Sequence, residues 1–360
     1  MASQINNTIL RILLVFLLVP NMQQRCFAAT GKQQQIPCLF VFGDSSLDDG
    51  NNNNLVTLAK SNYPPYGIDF PKGPTGRFTN GRTIVDFIAE FLGFDNYIPP
   101  FATARGREIL KGVNYASGAA GIRIETGRTQ LGDRISMDRQ LKNHQITLLE
   151  MNQMLGNHKK STAEYLSKCI YVVGVGINDY LINYLLPQYY PTSTIYTPQQ
   201  YAVVLNNQLS QQLTSLYKYG ARKFALFGLQ SACGSGTTSS TCVDNINNVI
   251  ELFNVELKSH VAALNHYLAG ASFIFINTTG IGLTSPFLAS LVSKVSCCEA
   301  LSTTGLCVPF GRTCSNRSEY AFYDSIHPTE IVVSVFAGRA YKAQSPSDAY
   351  PFDISHLAQH

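Results

Sequence analysis

The run Leu39-Phe40-Val41-Phe42 is apolar at every position and breaks off at Gly43-Asp44-Ser45. An unbroken apolar run of this length, bounded by turn residues, suits a strand buried on both faces. Gly43 permits a sharp exit, which puts Ser45 just past the carboxyl end of the strand. Ligands and catalytic groups collect there in open α/β sheets. Two readings of Ser45 stand at this point: a nucleophile, or the N-cap of a following helix. A base elsewhere in the chain must decide between them.

Strand-like runs recur at 112–115, 169–175, 224–229 and Ser272–Ile276, and helical patterns separate these stretches. An amphipathic helix spans 83–92 and stops at Gly93; another covers 137–155 and stops at Gly156. Ser161 with Glu164 forms a capping box for a short helix. Thr197-Pro198 opens a helix closing at Gly220, a long one covers 246–268, and Pro328 opens a last one through about Tyr341. The Asn-rich segment 51–54 reads as a polar loop in which asparagine tolerates left-handed backbone. Strand and helix alternate with no break in composition and no linker. That pattern predicts a single-domain three-layer α/β/α fold around a mostly parallel five-stranded sheet.

The N-terminus reads as an export signal over residues 1–29. Arg11 precedes the apolar run 12–19, and small residues Ala28 and Ala29 follow, which places cleavage near them and leaves 30–360 as the folded domain. That run is too short to span a bilayer, and no later segment is longer and as apolar. Removing Cys26 leaves eight of the nine cysteines, an even set that in an exported chain suggests disulfides. Cys233 with Cys242 is the expected local bridge, and the four from Cys297 to Cys314 are expected to staple another loop. No C-x-x-C pair or nearby histidine pair has zinc spacing, so neither metal nor cofactor is expected. The sequons at Asn277 and Asn316 are candidate glycosylation sites, Asn316 the better placed. A net charge of +4 without a basic block gives no reason to expect nucleic-acid binding.

Of the seven histidines, His327 stands apart. His158, His260, His266, His356 and His360 lie on helical faces, in loops or in the tail without a carboxylate at useful spacing, and His144 is helical. Asp324 precedes His327 by three residues, and in a tight turn such side chains meet. The carboxylate then holds the Nδ1–H and leaves Nε2 for the serine proton, the division of labour of a Ser-His-Asp triad. The alternative is a capped, solvent-facing Asp/His pair. Oxyanion donors are expected from the Ser45 and Gly118 N–H groups and the Asn178 side chain. All of these follow predicted strands or precede a helix, and such ends converge on one crevice in a doubly wound sheet.

Four blocks carry a family resemblance: Phe42-Gly43-Asp44-Ser45-Ser46-Leu47-Asp48-Asp49-Gly50-Asn51, then 113–121, Val175-Gly176-Ile177-Asn178-Asp179-Tyr180, and Asp324-Ser325-Ile326-His327-Pro328. In this order and spacing the chain resembles the plant GDSL esterase/lipases of the SGNH hydrolase superfamily, from about Cys38 to Tyr341. The resemblance implies Ser45 as nucleophile, Asp324 and His327 completing the triad, and Gly118 and Asn178 as oxyanion donors. It also implies a small-molecule, lipid or glycan ester as substrate. An acyltransferase would use the same residues, and a secreted glycan- or lipid-binding protein would keep the fold without turnover. Two positions depart from the family pattern. Tyr323 stands where Trp is common, and Leu229-Gln230-Ser231-Ala232-Cys233 replaces Pro-Pro-x-Gly-Cys. Both are expected to line or flank the crevice and to bear on substrate preference.

Overall fold

Side chains of the strands alternate between two apolar clusters, and that alternation builds the three layers. The computed structural model describes residues 34–230 and 240–360, with side chains at all of them except 240–245. The expected export signal and the expected Cys233–Cys242 bridge lie outside the described residues. Among the described residues one sheet has five strands: β1 (Leu39–Gly43), β2 (Ile170–Gly174), β3 (Lys223–Phe227), β4 (Ser272–Ile276) and β5 (Ala349–Tyr350), in that spatial order. β1 to β4 run parallel, and β5 is antiparallel to β4.

Phe40, Phe42, Tyr171, Val173, Phe224, Leu226, Phe273 and Phe275 face one layer. It is formed by the helices α2 (Met137–Met154), α3 (Lys159–Leu166), α4 (Pro198–Lys218) and α5 (Ser240–Tyr267). The intervening residues Leu39, Val41, Ile170, Val172, Ala225, Phe227, Ile274 and Ile276 face the other. There α1 (Ile84–Phe91), α6 (Thr278–Thr284), α7 (Glu330–Tyr341) and α8 (Ile354–Gln359) cover them. The parallel strands start in register, Leu39 beside Ile170 and Ile170 beside Lys223, so their carboxyl ends form one rim. Gly43 and Gly174 sit side by side on that rim. A Cβ on Gly43 would run into the Gly174 carbonyl oxygen, so glycine there lets two strand ends close up beneath Ser45.

The sheet has the expected strand count with a different membership. Residues 112–115 do lie along β1, with Val41 N–H bonded to Val113 O and Tyr115 N–H to Val41 O, but the pairing amounts to one bridge at Asn114. Asn114 turns its N–H to Pro99 O and its side chain to Leu47 O, so it serves a loop rather than a ladder. The fifth strand is instead the two-residue β5, too short for any periodicity. α3 starts at Lys159, so Ser161 lies in its first turn and bonds back to His158 O instead of capping. Pro328 pairs with Phe322 in a bridge, and Thr329 rather than Pro328 leads into α7. Thr197 caps α4 in a box with Gln200, as expected. Disulfides join Cys38 to Cys169 at the entry of β1 and β2, and Cys297 to Cys314 and Cys298 to Cys307 in the loop ahead of Asp324.

Candidate active site

Asp44 settles what Ser45 is free to do. Its side chain accepts the Ser46 N–H at 3.0 Å and its carbonyl accepts the Leu47 and Asp48 N–H groups, so Asp44 caps the turn after β1. Ser45 is left with no capping role, and its Oγ lies 2.7 Å from His327 Nε2, although the two residues are 282 apart in sequence. His327 Nδ1 faces Asp324 Oδ2 at 2.7 Å. Asp324 Oδ1 accepts the N–H groups of Ile326 (2.8 Å) and His327 (2.7 Å), which folds the Asp-x-x-His segment back on itself. Asp324 and His327 are buried while Ser45 is partly open, so the solvent-facing alternative for this pair does not describe it.

The loop donors divide unevenly. Asp48 is buried and takes three N–H groups at 2.8 Å each: Gly50 and Asn51 on Oδ1, Gly118 on Oδ2. The Gly118 N–H, expected to face the crevice, is therefore spent on a carboxylate. The glycine is needed for another reason: a Cβ there would sit 2.7 Å from the Phe78 ring. Ala120 N–H is bonded to Ser117 O, which leaves Ala119 N–H, at φ 62°, without an acceptor among the described residues. Asn178 Nδ2 donates to Ala120 O at 2.9 Å and keeps a second N–H. Asn178, Ser45 and His327 line one cavity of about 90 Å³. The Ser45 N–H likewise has no acceptor among the described residues.

Residues 39–337 match the family model described as GDSL-like Lipase/Acylhydrolase. Two Arabidopsis thaliana proteins named GDSL esterase/lipase are 51% and 47% identical to this chain, over 91% of it and 93% of each relative. The chain belongs to the GDSL lipase/acylhydrolase family. As a member it is a hydrolase of carboxylic esters. An extracellular lipase from Streptomyces rimosus aligns with 81% of this chain and 92% of its own at 13% identity, with a TM-score of 0.32, too loose for comparing side chains.

Within this GDSL chain, Tyr66 is the site neighbour that the motifs do not announce. Its hydroxyl donates to Asp324 Oδ2 at 2.6 Å and accepts the Cys307 N–H at 3.1 Å. Burial, reinforced by Asp324, pushes its phenol well above its ordinary value, so it stays a donor. Tyr323, the family departure, is fully buried against Tyr66 at 5.8 Å between ring centres and donates to Pro65 O, so it props Tyr66 and does not line the cavity. Of the other departure, Leu229 and Gln230 do line it, and residues 231–233 lie outside the described residues. The segment 51–54 has no left-handed residue; instead Asn51 donates to the carbonyls of Asn114 and Ala116, and Asn52 to those of Ala59 and Gly118.

Asp-x-x-His spacing does not by itself single out His327. His356 has the same relation to Asp353, Nδ1 to Oδ1 at 2.7 Å, but its side chain is 65% exposed. Asp353 also caps α8, so that pair serves a helix end. Asn316 is exposed, accepts the Ser318 N–H and donates to Glu319. Asn277 is half-buried, caps α6 and donates to Ser347 O. Among the described residues no group of three or more His, Cys, Asp or Glu could hold a metal ion, and no helix is long and apolar enough to cross a membrane.

Proposed function

We propose that the chain is an exported serine esterase in which Ser45 attacks the ester carbonyl and His327 and Asp324 serve it. The observation that carries this reading is the unbroken contact Ser45 Oγ–His327 Nε2 and His327 Nδ1–Asp324 Oδ2, 2.7 Å at each step. With its Nδ1–H on the carboxylate, a neutral imidazole presents Nε2 as a base. Ser45 loses its proton to Nε2 as Oγ bonds to the carbonyl carbon. The tetrahedral oxyanion then collapses, and the alkoxide leaves with the proton from Nε2. Water, deprotonated by the same nitrogen, attacks the acyl-enzyme, and collapse of that second intermediate expels Ser45 Oγ, which takes the proton back from Nε2 as the acid is released.

For the oxyanion, the Ser45 N–H and the second N–H of Asn178 are the proposed donors, joined by the Ala119 N–H in place of Gly118. What supports Ala119 is its unused amide between two engaged ones, in a backbone conformation that a residue with a Cβ seldom adopts. Export is supported by the signal-like N-terminus and by the disulfides. A fluorophosphonate probe tests the core of the reading: it should label the wild type at Ser45 and leave Ser45→Ala unlabelled. Labelling of both proteins alike, or of neither, would remove Ser45 as the nucleophile.

A further inference from the structure

The cavity at Ser45 does not end at the reacting groups. Besides Phe227, Leu229 and Ile326, its lining includes Gln230, Thr278, Pro328 and Phe336. Those same four residues line a second chamber of about 400 Å³, against about 90 Å³ for the first. Ile250, Leu283, Leu288, Ala321, Phe322 and Val332 give that chamber an aliphatic and aromatic lining. Its threonines do not make it polar. Thr278 Oγ1 donates to Gly228 O at 2.7 Å and Thr279 Oγ1 to Leu229 O at 2.8 Å, so both hydroxyls are held by backbone. Glu251 is exposed.

We propose that the second chamber is the acyl-chain subsite of the Ser45 centre, that the chain passes the Phe336 ring to reach it, and that the enzyme is therefore built for esters of medium and long aliphatic acids. This rests on Ser45 being the nucleophile. The first chamber accommodates a short acyl group, and each methylene beyond it gains only by entering a second apolar space. Gln230, Asn247 and Glu251 are the polar side chains of this lining besides the two threonines, and the aliphatic and aromatic residues outnumber them.

Gly282 supplies the test. It lies on α6 at the chamber wall, and a Cβ there would meet the Phe336 ring at 3.7 and 3.8 Å and nothing else within 4 Å. Its backbone is not left-handed, so a side chain can be added without strain, and leucine is a better helix former than glycine. Wild type should hydrolyse a p-nitrophenyl decanoyl ester with a higher kcat/KM than the butanoyl ester. Gly282→Leu should lower the decanoyl-to-butanoyl ratio by about tenfold or more, and Gly282→Ala by less. Decanoic acid binding, followed by calorimetry, should weaken in the same order, and this readout needs no turnover. A ratio and a binding constant unchanged in Gly282→Leu would overturn the acyl subsite. Absence of Ser45 labelling in wild type, with decanoic acid still bound there and excluded by the Gly282→Leu substitution, would instead sink the nucleophile reading and leave an apolar-chain site.

Discussion

A phenol holds the carboxylate that holds the imidazole, and each link in that chain is a single hydrogen bond. Tyr66→Phe removes one link without changing the packed ring. Its expected effect is a fall in kcat of about tenfold, the loss of one hydrogen bond to a charged group, with the unfolding midpoint little changed. Steady-state rates alongside a denaturation curve would check it; an equal loss in both would make Tyr66 a packing residue only. Asn178→Ala, which removes a donor to developing charge if the proposed oxyanion role holds, should be more severe, about 10²–10³ in kcat. Because a role confined to the transition state leaves KM close to wild type, whereas loss of the bond to Ala120 O would disturb the fold, KM and the unfolding midpoint separate the two, and an unchanged kcat would take Asn178 out of the site.

Loops around the rim are held by buried acids rather than by strand pairing. Asp48 joins the segment after β1 to the segment after 112–115, and Asp179 accepts the N–H groups of Ile122 and Arg123 and the Thr126 hydroxyl. Burial pushes both carboxyls up to about 6, which marks how little water reaches them. Asp48→Ala would strand three buried N–H groups. It should cost about 3 kcal/mol or more of unfolding free energy, whereas Asp48→Asn, keeping one acceptor oxygen, should cost less. Urea denaturation of the two variants checks the order; equal losses would argue that the loops are held by packing alone. The disulfide Cys298–Cys307 belongs to this scale as well, since Cys307 N–H is the group that fixes the Tyr66 hydroxyl.

Summed over the molecule, these buried groups set how stability follows pH. Asp44, Asp48 and Asp179 are each pushed up to about 6 by burial, and Asp49 is raised as well. Below that value the folded chain keeps protons that the unfolded chain, with ordinary carboxyls, has already shed. These acids therefore favour folding on the acid side, and the advantage is lost as pH rises through about 6. His144 opposes them: burial pushes it down to about 3, so the unfolded chain gains a proton first as pH falls below about 6.5. Several acids against one histidine make Tm higher near pH 5.5 than near pH 7.5, as scanning calorimetry can show; a lower Tm at the acid value would contradict the burial of these acids.

At this same scale the division between sequence and tertiary structure is clear. Leu39–Gly43, the Thr197 cap, the two-faced strands and the position of Ser45 past a strand end were legible because each follows from neighbours within a few residues. Asp324 with His327 is legible as a pair, but so is Asp353 with His356, and only folding sets one beside a serine and leaves the other on the surface. The occupied Gly118 amide, the Tyr66 hydroxyl under Asp324 and the chamber behind Phe336 left no local trace. Each depends on groups brought together across tens to hundreds of residues by the burial of two apolar sheet faces. A hydrogen-bond donor's partner, and the shape of an empty space, exist only once that packing is complete.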